Sequence, residues 1–279
     1  MAELDAARTG HTGITWPFTP EGARDAIAEL GALGYPAVEL FGFVIDAYPG
    51  GVDGVREALA AAGVRLVSAY CSAPLIEPAG RAEDVAKMVG WARKVRDLGG
   101  DVIVVGASPR RRETYSRDDY RGLCATLDEI GARCTEVGVR ACFHPHTGTP
   151  VETGEEIDMV MSGVDPRAVS MAPDTGQIAK GGADPVAVVR TYRQLVRHVH
   201  LKDWVGGIAG DGDTTGWLDY VPLGEGVVDL PGVVDTLREV GYAGWWMVEL
   251  DGSERAPRPP KEAAAASKRY LDRQMGVRA

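Results

Sequence analysis

Four of the chain's five histidines fall into two H-x-H clusters, His144-Pro145-His146 and His198-Val199-His200, and the second runs on into Leu201-Lys202-Asp203. Imidazole is the commonest metal ligand in proteins and the side chain that most readily moves a proton near neutral pH. Two carboxylates stand in similar settings at the ends of short apolar runs: Asp174 before Thr175-Gly176, and Glu249 after Trp245-Trp246-Met247-Val248. Singly, each residue has an ordinary explanation. A strand-end histidine more often hydrogen-bonds its neighbours, and an Asp before Thr-Gly more often caps a turn. Gathered on one surface, His144, Asp174, His200 and Glu249 would repel one another or stay unpaired without a cation. Such a mixed nitrogen and oxygen set suits Mn, Fe, Co or Zn better than Mg, which prefers oxygen and water.

These groups can meet only if their strands run parallel and end at the same place. Strand side chains alternate with period two, so His144 shares a face with His146, and His200 with Lys202. His198 has the same parity but lies deeper. Two residues along a strand span about 6.6 Å, which puts His146 and Lys202 beside an ion rather than on it, as proton carriers. A neighbouring cation is expected to lower the pKa of Lys202. Glu39 and Trp16, near the ends of two earlier runs, could hydrogen-bond to and stack on a substrate ring.

The chain supplies strands of this kind throughout. Apolar runs at residues 13–16, 37–41, 64–70, 102–105, 139–144, 168–171, 198–201 and 245–250 alternate with amphipathic segments. Helix starts are signalled by Thr19-Pro20, by the capping box Thr153/Glu156 and by Asp184-Pro185. About eight strands, each followed by a helix or helical turn, predict a (β/α)8 TIM barrel over residues 1–279 as one domain, with its site at the C-terminal ends of the strands. No G-x-G-x-x-G follows the first run, which removes the main support for an open dinucleotide-binding sheet. A Gly- and Asp-rich loop at 205–220 follows the seventh run. It is long for its place, and it is expected to cover the barrel mouth, with Trp204 or Trp217 as an apolar wall.

The formal net charge of −10 and the lack of a basic stretch argue against a nucleic-acid partner. The four cysteines show no C-x-x-C spacing and read as reduced thiols of a cytoplasmic protein. No signal-peptide core or membrane-length apolar run is present. Homo-oligomerisation is left open.

The motifs together resemble the xylose isomerase-like TIM barrels, a superfamily of sugar isomerases, epimerases and dehydratases. The resemblance is carried by Gly13-Ile14-Thr15-Trp16, Gly34-Tyr35 to Val38-Glu39, Phe143-His144-Pro145-His146-Thr147-Gly148-Thr149, Pro173-Asp174-Thr175-Gly176, His198 to Asp203, and Pro222-Leu223-Gly224-Glu225-Gly226. Many members carry Glu where His144 stands; the inosose dehydratase-like branch has His. The resemblance implies metal ligation by His144, Asp174, His200 and Glu249, acid/base roles for His146 and Lys202, and an enolate or enediolate intermediate. It leaves two activities open, a keto-polyol dehydratase and a sugar isomerase or epimerase. An endonuclease for abasic DNA shares the fold, but it would need more metal ligands and a basic face.

Overall fold

The computed structural model describes residues 8–108, 111–206, 219–251 and 258–274. Its strands are β1 Thr9–Thr12, β2 Ala37–Phe41, β3 Arg65–Ala73, β4 Val102–Ala107, β5 Arg140–His144, β6 Val169–Met171, β7 His198–Leu201, β8 Asp203–Trp204, β9 Tyr220–Val221 and β10 Trp245–Val248. The helices are α1 Pro20–Ala32, α2 Gly42–Ala47, α3 Gly51–Ala62, α4 Arg81–Asp97, α5 Arg117–Glu136, α6 Gly154–Met161, α7 Thr175–Lys180, α8 Pro185–Tyr192, α9 Leu230–Arg238 and α10 Pro260–Gln274. Eight strands pair in parallel in the order β6-β5-β4-β3-β2-β1-β10-β7. The two ends of that order meet through single bridges, Met171 with Val196 and Asp174 with His200, so the sheet curls into a barrel. The Thr175 hydroxyl stitches this seam, donating to the Lys202 carbonyl at 2.6 Å and accepting from the Lys202 N–H at 2.9 Å.

Period-two alternation sorts the side chains into two environments. Ile103, Val105, Phe143, Val199 and Leu201 join the main core between strands and helices. Ala37, Val67, Trp245 and Met247 pack together on the opposite strand faces, as do Val102, Val104, Cys142 and Ala172. Apolar side chains therefore fill much of the barrel interior near its base, while polar residues gather toward its C-terminal mouth and in a buried Glu39, Ser68 and His198 cluster below it. All four cysteines are buried and free. Among the described residues no helix is long and apolar enough to cross a membrane.

The helix starts follow local chemistry. Thr19 accepts from the Gly22 N–H, both Ser116/Asp119 and Thr153/Glu156 form capping boxes, and Asp184 caps α8 with Pro185 at its first position. The first strand differs from expectation. Residues 13–16 do not form it; β1 is the preceding Thr9–Thr12, and Gly13–Thr15 make a 3-10 turn. A strand of Thr, Gly, His and Thr has no apolar signature, and it is recognisable only by its pairing with β2 and β10. The turn belongs to the mouth, where the Thr15 hydroxyl donates to the Leu250 carbonyl at 2.6 Å.

Most of the 205–220 loop, residues 207–218 with Trp217, lies outside the described residues. Its two feet are described. They pair antiparallel as β8 and β9, directly after β7 and therefore at the mouth. Trp204 packs there against Tyr220, Leu250 and Ala263. The buried Asp203 carboxylate holds this region together. It accepts from the N–H groups of Trp204, Gly224, Gly226 and Val228 at 2.9, 2.9, 3.0 and 3.1 Å, wrapping the Pro-Leu-Gly-Glu-Gly turn around itself. Asp203→Ala should leave four part-buried N–H donors without their acceptor and cost about 1–3 kcal/mol, the usual penalty for such groups. Asp203→Asn, which keeps an acceptor oxygen, should cost less. Urea denaturation checks both; equal and negligible effects would contradict this role.

Candidate active site

Each strand places its polar residue by the same parity that fills the base. On β5, Cys142 and His144 face inward while Phe143 joins the outer core. On β7, His198 and His200 face inward and are fully buried. Lys202, Glu249 and Asp251 continue the inward parity of β7 and β10 just beyond the strands. Asp174 ends the β6 segment and also caps α7: Oδ1 accepts from the Gln177 N–H at 2.9 Å, which leaves Oδ2 for the site. The ordinary and the functional reading of that aspartate therefore hold together, because the cap fixes the direction of the carboxylate.

The structure brings His144, Asp174 and His200 together, each offering a donor atom within 4.8 Å of the others. Glu249 joins them: its Oε2 lies 2.5 Å from His200 Nδ1. Lys202 is fully buried, with Nζ 2.9 Å from Asp174 Oδ2, 2.7 Å from Glu249 Oε1 and 2.7 Å from Asp251 Oδ2. The carboxylates of Glu39, Asp174, Glu249 and Asp251 thus share this region with one ammonium and the imidazoles. Neither ring nitrogen of buried His144 has a hydrogen-bond partner among the described residues. Two lone imidazole nitrogens beside an excess of carboxylate oxygens fit a divalent cation well.

The electrostatics follow from burial set against charge. Burial alone would strip the proton from Lys202, but Asp174, Asp251 and Glu249 outweigh it and hold the pKa well above the usual lysine value. Among the protein's own groups this reverses the expected depression, because three carboxylates surround the amine. Burial would also lower His200, yet Glu249 and Glu39 raise it well above an ordinary histidine. Burial pushes Asp174 up to about 6 against the pull of Lys202. Glu249 resists burial through His200 and Lys202 and stays well below the ordinary carboxylate range. His144 is driven well down, first by burial and then by His200.

His146 is held at one side of this cluster. Its Nδ1 lies 2.7 Å from the Thr147 carbonyl, which can only accept, so Nδ1 carries the proton. Its Nε2 faces Gln177 Nε2 at 2.9 Å. The Gln177 Oε1 accepts from Tyr220 at 2.7 Å and from the Thr147 hydroxyl at 2.6 Å, which makes the amide nitrogen the donor to His146. Burial, then Lys202, lowers the pKa of His146. The result is a neutral imidazole whose Nε2 lone pair accepts from the Gln177 amide at the edge of the site. A cavity of about 40 Å³ opens beside it, lined by Ile14, Glu39, Phe41, Tyr70, His146 and Glu249 among others.

Glu39 reaches this cavity, but its carboxylate is engaged deeper in the barrel with His198, His200 and Ser68. Trp16 is placed elsewhere. It is buried, its indole N–H donates to Glu29 at 3.0 Å, and its ring meets His11 edge-on. His11, on the strand hidden from the sequence pattern, is a core residue between Trp16 and Tyr35 that burial pushes down to about 4. Sequence reasoning passed over Asp251, Gln177, Tyr220 and Tyr70. Asp251 was within reach, since it stands two residues beyond Glu249 on the same face. Gln177 and Tyr220 enter through a short helix and a loop foot, for which strand parity has no rule.

A sequence profile of the xylose isomerase-like TIM barrel family matches residues 25–274. The chain belongs to that family. The inosose dehydratase of Lacticaseibacillus casei is 28% identical to it, covering 99% of this chain and 98% of that protein. Among solved structures of the same fold, D-allulose 3-epimerase of Methylomonas sp. in complex with D-allulose matches with a TM-score of 0.76 at 18% identity, over 98% of this chain and 99% of that one. The IOLI protein with a bound zinc atom matches with a TM-score of 0.74 at 16% identity, over 94% and 95%. This xylose isomerase-like barrel is an enzyme.

The stem of Lys202 lies against Gly176, where a Cβ would come within 2.7 Å of Lys202 Cγ. Gly176→Ala should therefore displace the ammonium. Misplacement by about 1 Å can cost roughly 10²-fold in turnover, even though Ala is the better helix former. Steady-state kinetics together with thermal denaturation would check this; full activity would contradict the packing argument.

Proposed function

We propose that the protein is a divalent-metal-dependent dehydratase of a keto-polyol such as an inosose, with residues 1–279 forming one barrel domain. The observation that carries this reading is the donor set of His144, Asp174, His200 and Glu249 beside the buried Lys202 ammonium and the neutral His146. The full-length similarity to an inosose dehydratase supports the substrate class.

A divalent ion held by those four residues would polarise the substrate carbonyl and acidify the adjacent C–H. His146 then takes the α-proton on Nε2, moving away from the Gln177 amide to do so. Lys202 stays protonated and directs its N–H groups at the oxygen on which negative charge develops. Water leaves when the β C–O bond breaks and the departing hydroxyl takes up the proton that His146 removed from the α-carbon, so a C=C bond forms without any redox partner. Asp251 and Gln177 hold Lys202 and His146 in place through their contacts at 2.7 and 2.9 Å. Tyr70 and Phe41 give the pocket an apolar side against which the C–H face of a ring can lie.

The purified protein should bind about one Mn, Fe, Co or Zn ion per chain, lose activity in EDTA and regain it when metal returns. NMR product analysis on a panel of inososes and ketoses, with Mn²⁺ or Co²⁺ added, should show loss of water from an inosose. An epimerised or isomerised ketose instead would overturn the dehydratase assignment while leaving the metal site standing. Activity undiminished in metal-free protein would overturn both. His146→Ala and Lys202→Ala should retain the ion and lose roughly 10²-fold or more in turnover, the usual scale for a positioned acid or base. In D₂O, His146→Ala should also stop exchange of the α-proton, which Lys202→Ala should only slow. Loss of metal from both variants would make these residues ligands instead.

A further inference from the structure

Below the mouth lies a buried cluster that the proposed reaction does not use. Glu39, on β2, crosses the barrel interior to β7. Its Oε2 accepts from His198 Nε2 at 2.9 Å and from the Ser68 hydroxyl at 2.5 Å. Its Oε1 lies 3.0 Å from His200 Nε2, a contact of ion-pair length whose alignment falls short of a good hydrogen bond. The opposite nitrogen of the same ring, His200 Nδ1, faces Glu249 Oε2 at 2.5 Å. The His200 imidazole thus spans two carboxylates, one in the interior and one at the mouth.

An imidazole can coordinate an ion only through a nitrogen that carries no proton. For His200 to serve the site at the mouth, Nδ1 must present its lone pair and the ring proton must sit on Nε2. Glu39 Oε1 stands on that side at ion-pair distance, so a small turn of the ring would let it accept that proton. Burying a carboxylate is costly unless it is fully partnered, and Glu39 is partnered on both oxygens by groups that do not touch solvent. Its contacts leave it little capacity for a substrate hydroxyl.

Resting on the metal-dependent reading above, we propose that Glu39 is a positioning residue: anchored by His198 and Ser68, it fixes the tautomer and orientation of His200 so that Nδ1 faces the mouth. This reassigns Glu39 from substrate contact to support of a ligand, and it gives His198 and Ser68 the role of holding Glu39. Carboxylates behind metal-bound histidines act in this way, and losing one typically costs about 10- to 100-fold in metal affinity.

The test begins with the unmutated protein. Long-range ¹H–¹⁵N NMR of ¹⁵N-histidine-labelled, zinc-loaded protein should show His200 protonated on Nε2, and the opposite tautomer would overturn the proposal. Glu39→Gln should weaken Co²⁺ affinity by about 10- to 100-fold and change the Co²⁺ visible spectrum. It should lower kcat at saturating metal more than it raises KM. Glu39→Asp should recover part of the affinity, and Ser68→Ala, which leaves both imidazole contacts, should shift it less than Glu39→Gln. A raised KM with unchanged Co²⁺ affinity would return Glu39 to the substrate. Two ions per chain falling to one in Glu39→Gln would make Glu39, His198 and His200 a metal site of their own and overturn the positioning role. Unmutated protein that binds no ion at all would instead defeat the metal reading on which the proposal rests.

Discussion

Three buried carboxylates and one buried ammonium share the mouth of this barrel, with the Glu39 carboxylate just below them, and much of the rest of the architecture serves that arrangement. Isolated ions in such a place would cost several kcal/mol each in desolvation. Each is instead met by a partner: Lys202 by Asp174, Glu249 and Asp251, and His200 by Glu39 and Glu249. Negative charge remains in excess, and among the described residues neither imidazole nitrogen of His144 has a hydrogen-bond partner. A fold that tolerates this imbalance must hold the groups rigidly, because repelled carboxylates would otherwise turn outward.

Rigidity comes from the backbone rather than from the site. The parallel strands deliver His144, His200, Lys202 and Glu249 to the mouth. The seam between β6 and β7, where ladder pairing is interrupted, is reinforced by Thr175 and by the Asp174–His200 bridge. Asp174 is fixed as the cap of a helix, and Gly176 leaves room for the lysine stem. Asp203 anchors the turn that brings Tyr220 to Gln177, and through Gln177 the tautomer of His146 is set. A residue sequence as short as Asp-Thr-Gly-Gln thus performs capping, seam closure, clearance and orientation in succession.

How much of this was legible beforehand depended on whether a single periodicity governed the residue. Where period two applied, His144, His146, His200 and Lys202 could be placed from spacing alone, and the base of the barrel from apolar alternation. The rule failed at β1, whose Thr-Gly-His-Thr sequence carries no apolar pattern, and the strand was expected four residues too late. It was not carried far enough at Glu249, where the same parity leads to Asp251. Glu39 was recognised as a residue of interest from its strand. Its carboxylate, however, extends across the interior to His198 and His200, a contact between distant strands that spacing does not encode. Trp16 followed the misplaced strand and lies against α1. Gln177 and Tyr220 depend on tertiary contacts between a helix and a loop foot, so local pattern is silent about them.

The account stands or falls on one ion bonded by side chains from four different strand ends. An anomalous difference map from crystals grown with Co²⁺, with data collected on either side of the cobalt edge, tests this most directly. The account predicts a single strong peak per chain within about 2.0–2.2 Å of donor atoms from His144, Asp174, His200 and Glu249, the usual range for nitrogen and oxygen ligands. A map with no peak at the mouth, or with its peak between Glu39 and His198, would contradict it.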